Sequence, residues 1–310
     1  MRRRDFLALS LGTIAAIGCV AGRKEGAVKT AKFITPQPQI DLVESIERAT
    51  IEEETTAQET MEDGIGSEDS QAVPKDNLEI VKESRELKPI IAQDDELEIL
   101  TSVFKRLASV QKYIGFGNFN IISFDAMISL AKTAKAVGAF TDAELTYLEK
   151  LFFRDAKDYG FFGEKVTTKL TEEIAQKEVF KAPNTGHYLY KGKAAQVYES
   201  VKKDIGDSII MTSGVRGIPK QFYLFLAKTL ECKGNYSEAS HSLAPAGYSY
   251  HGIGDFDVGK VGYGEKNFTQ DFAQTREFEK LMQLGYIAIR YPRGNPYGVY
   301  FEPWHVEVVT

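Results

Sequence analysis

The sequence predicts an α+β fold, with helices in the middle of the chain and a C-terminal antiparallel sheet with flanking helices. Apolar residues recur at helical spacing through residues 96–152, whereas residues 209–216, 286–290 and 299–302 have the pattern of strands. Helices first and strands later are typical of an α+β arrangement. A chain of 310 residues can also bury a sizeable core in one or two domains.

Composition narrows the class of partner. Hydrophobic residues make up 43% of the chain, which is typical of a globular protein, and the formal net charge is -6. Non-specific nucleic-acid binding needs a basic surface that replaces condensed counterions. Nucleic acid is therefore not expected as a partner, whereas a small or polymeric substrate of the cell envelope fits.

Residues 1–22 are expected to be an export signal. Arg3 and Arg4, followed by Phe6 and Leu7, resemble the twin-arginine motif, and an ordinary secretory signal is the alternative. The apolar segment that follows is too short for a comfortable membrane span. Cys19 ends a sequence similar to a lipoprotein cleavage box, which would anchor the chain to a membrane. The expected location is the periplasm or cell envelope.

Residues 23–95 are expected to be an acidic, disordered linker. The segment is rich in Glu, Thr, Ser and Gln and poor in aromatic residues, so it cannot bury enough apolar surface to offset the entropy of ordering. A short helix at 42–59 is the alternative for part of it.

Residues 96–183 are expected to form a helical region. Thr141 and Glu144 have the spacing of a capping box, which would begin a helix at residue 142. Phe116, beside two glycines, is expected to pack in the core, with a place on the lining of a groove as the alternative. The apolar rows that predict three helices are Leu97, Leu100, Val103, Phe104, Leu107 and Val110, then Met127, Leu130, Ala131 and Ala134 after Ser123, then Leu145, Leu148, Leu151 and Phe152.

Residues 184–310 are expected to form a second domain of mixed helices and strands. Its predicted elements are a helix through Ala194–Val201, a strand at 209–216, a helix begun by Pro219, a strand through Val258, a helix at 272–284 with Phe278, Leu281 and Met282 inward and Gly285 as its cap, and strands at 286–290 and 299–302. His187, in a loop ahead of the first helix, is expected to be structural.

Two histidines and an aspartate are candidate metal ligands. His251 is followed by Asp255 and Asp257, and His305 lies near the C-terminus. Three protein ligands plus an open position are typical of catalytic zinc, and the presence of only two cysteines excludes a closed cysteine site. Asp255 and Asp257 compete as the carboxylate ligand, because alternate residues of a strand face the same side.

Three motifs in this part of the chain resemble the VanY-type D-alanyl-D-alanine carboxypeptidases, zinc peptidases with the Hedgehog-domain fold. The resemblance covers roughly residues 209–309. It favours Asp257 as the ligand, although the spacing from His251 is one residue shorter than is usual in the family. The motifs are Ser213-Gly214-Val215-Arg216 with Gln221, Ser249-Tyr250-His251-Gly252-Ile253-Gly254 with Asp257, and Glu302-Pro303-Trp304-His305.

The resemblance implies a zinc-dependent enzyme that removes the terminal D-alanine from peptidoglycan stem peptides. Glu302 would take a proton from the attacking water and deliver it to the departing amine. Arg216 would stabilise the oxyanion or hold the terminal carboxylate of the substrate. Ser249 and Gln221 would contact substrate, with Gln221 also bracing Arg216. The alternatives are an L,D-carboxypeptidase, a D,D-dipeptidase and a non-catalytic module that binds the cell wall.

Overall fold

The structure of the protein is a computed structural model that describes residues 88–308. The predicted export signal, the lipidation site Cys19, the helix at 42–59 and all but the last residues of the predicted linker lie outside the described residues. No helix within 88–308 combines the length and apolar character needed to cross a membrane.

The predicted α+β class is confirmed. Helices dominate up to residue 153, and a three-stranded antiparallel sheet lies in the C-terminal part. The helices are α1 Asp94–Ile114, α2 Phe116–Ile121, α3 Phe124–Thr133, α4 Asp142–Phe153, α5 Lys193–Ile205, α6 Ile218–Glu231, α7 Tyr236–Ser240 and α8 Arg276–Gln283. The strands are β1 Val179–Lys181, β2 Tyr188–Tyr190, β3 Ile209–Ser213, β4 Phe256–Lys260 and β5 His305–Val306.

The helical region and α6 share one apolar core. Five of the six residues of the predicted α1 row are buried, and Leu97 is half-buried. Phe104 of this row stacks on Tyr223 of α6 with 5.3 Å between ring centroids. The capping box of α4 is also confirmed: Thr141 Oγ1 accepts the Glu144 N–H, and the Glu144 carboxylate accepts the Thr141 N–H. Packing of α1 against α6 therefore fixes the helix that follows Arg216.

The three-stranded sheet brings distant motifs into one row. Its order is β3-β4-β5, and the register pairs Asp257 with Ser213 on one side and with His305 on the other. A bulge at Thr212 lies just before this row, where such irregularities commonly re-aim side chains. The register therefore aligns Ser213, the first residue of the first motif, with two candidate metal ligands, Asp257 and His305.

Strands predicted at 286–290 and 299–302 are wrong. Residues 288–291 do run beside 302–307, but a turn in which His305 N–H donates to Glu302 C=O interrupts the ladder. Only the bridge between Ile289 and Val306 remains as strand-like pairing. The backbone N–H of Tyr300 donates to His241 C=O, in a loop outside the sheet.

The predicted helix at 272–284 is divided. A 3-10 helix, Gln270–Gln274, precedes Thr275, whose hydroxyl accepts the Phe278 N–H and begins α8. Leu281 is buried as expected, but Met282 faces outward and is 45% exposed. The predicted cap at Gly285 is also wrong, since Leu284 occupies the cap position in an extended conformation.

Candidate active site

A cleft of about 510 Å³ contains most of the predicted site residues. One side follows α6 and the end of β3, and the other is formed by the C-terminal segment around β5. The predicted residues on its lining are Arg216, Ser249, His251, Asp257, Glu302 and His305. The fold thus brings together side chains from all three sequence motifs.

His251 is held so that one ring nitrogen points into the cleft. It lies in the 3-10 helix Tyr250–Gly252, and its Nδ1 is 2.8 Å from the carbonyl oxygen of Gly214. Since a carbonyl only accepts, Nδ1 carries the proton and Nε2 presents a lone pair. Gly214 has no room for a side chain, because a Cβ there would clash with the carbonyl of Tyr188. Burial, together with the Arg216 charge, lowers the pKa of His251 to about 4, so the ring is neutral.

Asp257 presents one carboxylate oxygen to the same point. Its Oδ2 accepts a 2.6 Å hydrogen bond from Arg216 Nη2, whereas Oδ1 has no hydrogen-bond partner within the described part of the chain. Burial raises the pKa of Asp257, but the neighbouring His251 and Arg216 outweigh burial and hold the pKa below its usual value. Asp257 is therefore an ionised carboxylate.

His305 lies between carboxylates on both sides of its ring. Its Nε2 is 3.1 Å from Asp255 Oδ2, and its Nδ1 is 3.2 Å from Glu302 Oε2 and 3.6 Å from Asp257 Oδ1. Burial lowers the pKa of His305, but the hydrogen bonds with Asp255 and Glu302 outweigh burial and raise it to about 9. The Nδ1 side is the one that faces the other two candidate ligands.

The ligand atoms of His251, Asp257 and His305 fit a divalent cation. They lie within 4.8 Å of one another, and all three residues are buried. Two of these atoms, His251 Nε2 and Asp257 Oδ1, are acceptors 3.2 Å apart with no hydrogen-bond donor in the part of the chain that the structure describes. Two facing buried lone pairs repel each other unless a cation lies between them. Two imidazoles and one carboxylate are also a ligand set of catalytic zinc.

The geometry favours Asp257 over Asp255 as the carboxylate ligand. Both oxygens of Asp255 are occupied: Oδ1 accepts from Arg290 Nη2 at 3.1 Å and from Val308 N–H at 2.8 Å. Its Oδ2 accepts from Arg290 Nε at 2.8 Å and contacts His305 Nε2, the nitrogen on the side away from Asp257. Asp255 therefore contacts the candidate ligand His305 at Nε2, the ring nitrogen that faces away from Asp257.

Glu302 is a buried carboxylate beside the candidate metal ligands. It lines the cleft and is 7% exposed. Burial raises its pKa above the usual value, although the hydrogen bond with His305 acts in the opposite direction. Raising the pKa of a carboxylate makes it a stronger proton acceptor, which suits a group that acts in general acid–base catalysis.

Gln221 braces Arg216 and does not line the cleft. Its Nε2 donates to the carbonyl of Arg216 at 2.7 Å, and its Oε1 accepts the N–H of Gly247 at 2.8 Å. Because both ends of the amide are bonded to backbone and the residue is buried, the direct substrate contact predicted for Gln221 is not supported. Its bracing role matches the geometry.

Sequence reasoning assigned no site role to several residues that line the cleft. Phe116 and His187 contact each other edge to face, with 5.1 Å between centroids, and both line the cleft. Tyr291 does so too, with its ring 4.9 Å from that of His305. The glycines on both sides of Phe116 were the one available signal for a groove. For Tyr291 the sequence offered none.

The fold and the ligand geometry define a protein with a buried candidate metal centre in an open cleft, the arrangement of a hydrolase site. Residues 189–310 match the family model of VanY, D-alanyl-D-alanine carboxypeptidase, which confirms the resemblance in this part of the chain. The match covers 122 of the 310 residues, so this C-terminal part of the chain is similar to the VanY family. No curated protein matches the chain.

Three solved structures are similar to part of the chain. LdcB, an LD-carboxypeptidase described with its basis of peptidoglycan recognition, is 22% identical, with 42% of this chain and 63% of that chain covered and a TM-score of 0.35. The D,D-dipeptidase VanXYg, bound to a D-Ala-D-Ala phosphinate analogue, is 18% identical, with 47% and 63% covered and a TM-score of 0.35. VanYB, in complex with D-alanine-D-alanine, is 24% identical, with 43% and 77% covered and a TM-score of 0.32. The chain thus spans 63% of the length of the first two.

Proposed function

We propose that the protein is a zinc-dependent D-alanyl-D-alanine carboxypeptidase that removes the terminal D-alanine from peptidoglycan stem peptides. The observation that carries the proposal is the buried set of His251 Nε2, Asp257 Oδ1 and His305 Nδ1, with Glu302 beside it on the wall of a cleft. The match of residues 189–310 to the VanY family supports the substrate class.

In this proposal, His251, Asp257 and His305 hold the zinc ion. Zinc, when bound, supplies a Lewis acid that lowers the pKa of water and polarises the scissile carbonyl. The remaining chemistry belongs to the protein. Glu302 takes a proton from the attacking water and delivers it to the departing amine of D-alanine, and its raised pKa makes it a stronger proton acceptor for the first transfer.

Arg216 and Ser249 would bind the substrate. Both line the cleft, and Arg216 already places its charge at Asp257. A guanidinium in this position would stabilise the developing oxyanion or hold the terminal carboxylate of the peptide. Arg216 Nε donates a 2.9 Å hydrogen bond to Ser213 Oγ, which keeps the Arg216 side chain in the cleft.

The test is release of free D-alanine from purified muropeptides. Wild-type protein is expected to release it from pentapeptides, and chelation of the metal is expected to stop release until zinc is restored. Glu302→Gln keeps the size of the side chain and is expected to bind zinc while kcat falls about 10²–10⁴-fold. Undiminished activity in Glu302→Gln would sink the proton-transfer role.

Mass spectrometry of the same digests decides between the related activities. Loss of one residue from a pentapeptide supports the proposal, and loss of one residue from a tetrapeptide alone indicates an L,D-carboxypeptidase. Hydrolysis of added free D-alanyl-D-alanine, with the stem peptides left intact, indicates a D,D-dipeptidase. Binding to cell walls without any cleavage indicates the non-catalytic module.

We also propose that the protein acts in the periplasm or cell envelope after export. Arg3, Arg4 and the apolar segment that follows support export, and Cys19 offers a site for lipid attachment. Fractionation of cells that produce the wild type and the Arg3→Lys, Arg4→Lys double variant tests export. Accumulation of both proteins in the envelope fraction would exclude the twin-arginine route.

A further inference from the structure

We propose that Asp255 is a positioning residue that selects which nitrogen of His305 binds the metal. The inference rests on the proposed zinc site and assigns a task to a carboxylate that is not itself a ligand. The proposal predicts that His305 binds the metal through Nδ1, whereas His251 binds it through Nε2.

Asp255 is buried and held from three directions. Its side chain is 0% exposed, and it accepts two hydrogen bonds from the Arg290 guanidinium and one from the backbone N–H of Val308. A buried carboxylate with this many donors is ionised and fixed in orientation. It can therefore act as a rigid acceptor for a further donor.

The further donor is His305. Carboxylates face both ring nitrogens, with Asp255 Oδ2 at 3.1 Å from Nε2 and Glu302 Oε2 at 3.2 Å from Nδ1. A metal bound at Nδ1 would take the place of the proton there, and the proton that stays on Nε2 is the one that Asp255 accepts. Nδ1 is the nitrogen nearest to Asp257 Oδ1, at 3.6 Å. Carboxylates that accept from a histidine in this way orient the ring and increase its basicity as a ligand.

The backbone explains why neighbouring residues supply both functions. Asp255 immediately precedes β4 and Asp257 is the second residue of this strand, and alternation along the extended chain lets both side chains reach the His305 ring. Asp257 meets the Nδ1 side of the His305 ring and Asp255 meets the Nε2 side. Alternation along the chain thus places one carboxylate at each nitrogen of the His305 ring, Asp257 at Nδ1 and Asp255 at Nε2.

Arg290 holds Asp255 in this position. Besides its two hydrogen bonds to Asp255, it forms a 2.8 Å ion pair with Glu307 and lies 4.1 Å from the centroid of the Tyr250 ring. Glu307 thus shares Arg290 with Asp255 but forms no hydrogen bond or ion pair with His305, which makes it a matched control.

The test measures zinc affinity and the His305 tautomer in wild type, Asp255→Ala, Asp255→Asn and Glu307→Gln. Asp255→Ala is expected to weaken zinc binding by roughly 10–100-fold in calorimetry. Glu307→Gln is expected to bind zinc as the wild type does. Asp255→Asn retains an oxygen that can accept from Nε2–H, so its affinity is expected to fall between these values.

Nitrogen NMR of histidine-labelled protein supplies the readout that a merely structural role would not move. With four histidines in the sequence, the ring signals can be assigned by single substitutions. Wild-type protein with zinc or cadmium is expected to show His305 bound through Nδ1 with a proton on Nε2. In Asp255→Ala this pattern is expected to give way to mixed signals, and in Asp255→Asn to persist.

Zinc binding by Asp255→Ala within twofold of the wild type, with His305 still bound through Nδ1, would overturn the proposal. If Asp255→Ala fails to fold, equal affinity and an altered tautomer in Asp255→Asn would overturn it instead. A wild-type protein that binds no zinc would contradict the proposed function itself, which is a different result from unchanged binding in the variants.

Discussion

Two buried carboxylates, one in the helical region and one in the cleft, show how the two parts of the molecule differ. Glu144 and Asp257 are each about 2% exposed. Glu144 receives hydrogen bonds on both oxygens, from Ser102, Arg106 and the Thr141 N–H. Asp257 receives one from Arg216, and its other oxygen faces the lone pair of His251. Both oxygens of Glu144 thus have hydrogen-bond donors within the helical region. In the cleft, Asp257 and His251 present two facing lone pairs that a bound cation would satisfy.

The largest expected effect is on the stability of the helical region. Leu107 of α1 is completely buried, so Leu107→Ala should lower the free energy of unfolding by about 2–5 kcal/mol through lost burial and a residual cavity. Zinc affinity, measured on the folded fraction, should be unchanged. Leu107→Met is the volume-conserving control. A zinc affinity that falls in parallel with stability would show that the two regions are coupled.

The second prediction concerns the cleft. Zinc at about 100 times its Kd should raise the free energy of unfolding by about 2.7 kcal/mol, because it binds the folded state. Asp257→Asn should abolish this increase, since an amide lacks the charge that balances zinc. Thermal unfolding with and without zinc measures the effect, with the exposed Asp271→Asn as control. Equal stabilisation of wild type and Asp257→Asn would exclude Asp257 as a ligand.

The third prediction sharpens the contrast through pH. Burial raises the pKa of Glu144, but hydrogen bonds from Arg106, Thr141 and Ser102 outweigh burial and hold the pKa below its usual value. Its ionised form thus contributes stability above the pKa of the unfolded chain, and this contribution is lost as pH falls through the folded pKa. Glu144→Gln should cost about 1–3 kcal/mol at pH 7 and less at pH 3.

Denaturant titrations at both pH values check this expectation. Asp142→Asn, an exposed carboxylate in the same first turn of α4, is the control and should change stability little. A cost for Glu144→Gln that does not depend on pH would mean that the ionised carboxylate is not the source of the stability.

The smallest expected effect lies where the two regions meet. Phe116 of α2 lines the cleft, so Phe116→Ala should raise KM for a stem peptide about fivefold, corresponding to roughly 1 kcal/mol of lost apolar contact. The value of kcat and the zinc affinity should remain unchanged, because Phe116 does not contact a candidate ligand. Phe153→Ala, an exposed phenylalanine that does not line this cleft, is the control. An unchanged KM in Phe116→Ala would mean that Phe116 of the helical region does not contribute to substrate binding.

Much of the helical architecture could be predicted because its signals are local. Thr141 and Glu144 satisfy each other within one turn, and the α1 row is set by helical spacing alone. The strands at 286–290 and 299–302 could not be judged in this way. Whether they pair depends on the turn before His305 and on a loop at His241, and neither is visible in the alternation of side chains.

The candidate site shows the same limit. The residue types and the order of the motifs identified His251, Asp257, His305 and Glu302, which the structure brings together. The family resemblance favoured Asp257, but strand alternation alone did not separate it from Asp255, because what distinguishes them is the guanidinium of Arg290 and the amide of Val308, which lie far away in sequence. Long-range donors decide which carboxylate is left to bind a metal, and a local pattern does not contain them.

Because the candidate ligands lie far apart in the sequence, a bound metal would also cross-link distant parts of the chain. Two of them come from one short segment, and the third lies about 50 residues further along the chain. An ion held by all three would join the ends of that long loop as a covalent cross-link does, and closing a loop of this length in the unfolded chain is worth on the order of 4 kcal/mol in the chain-entropy account. The single cysteine in the described region, Cys232, is free, so the metal would supply the one cross-link of this part of the fold.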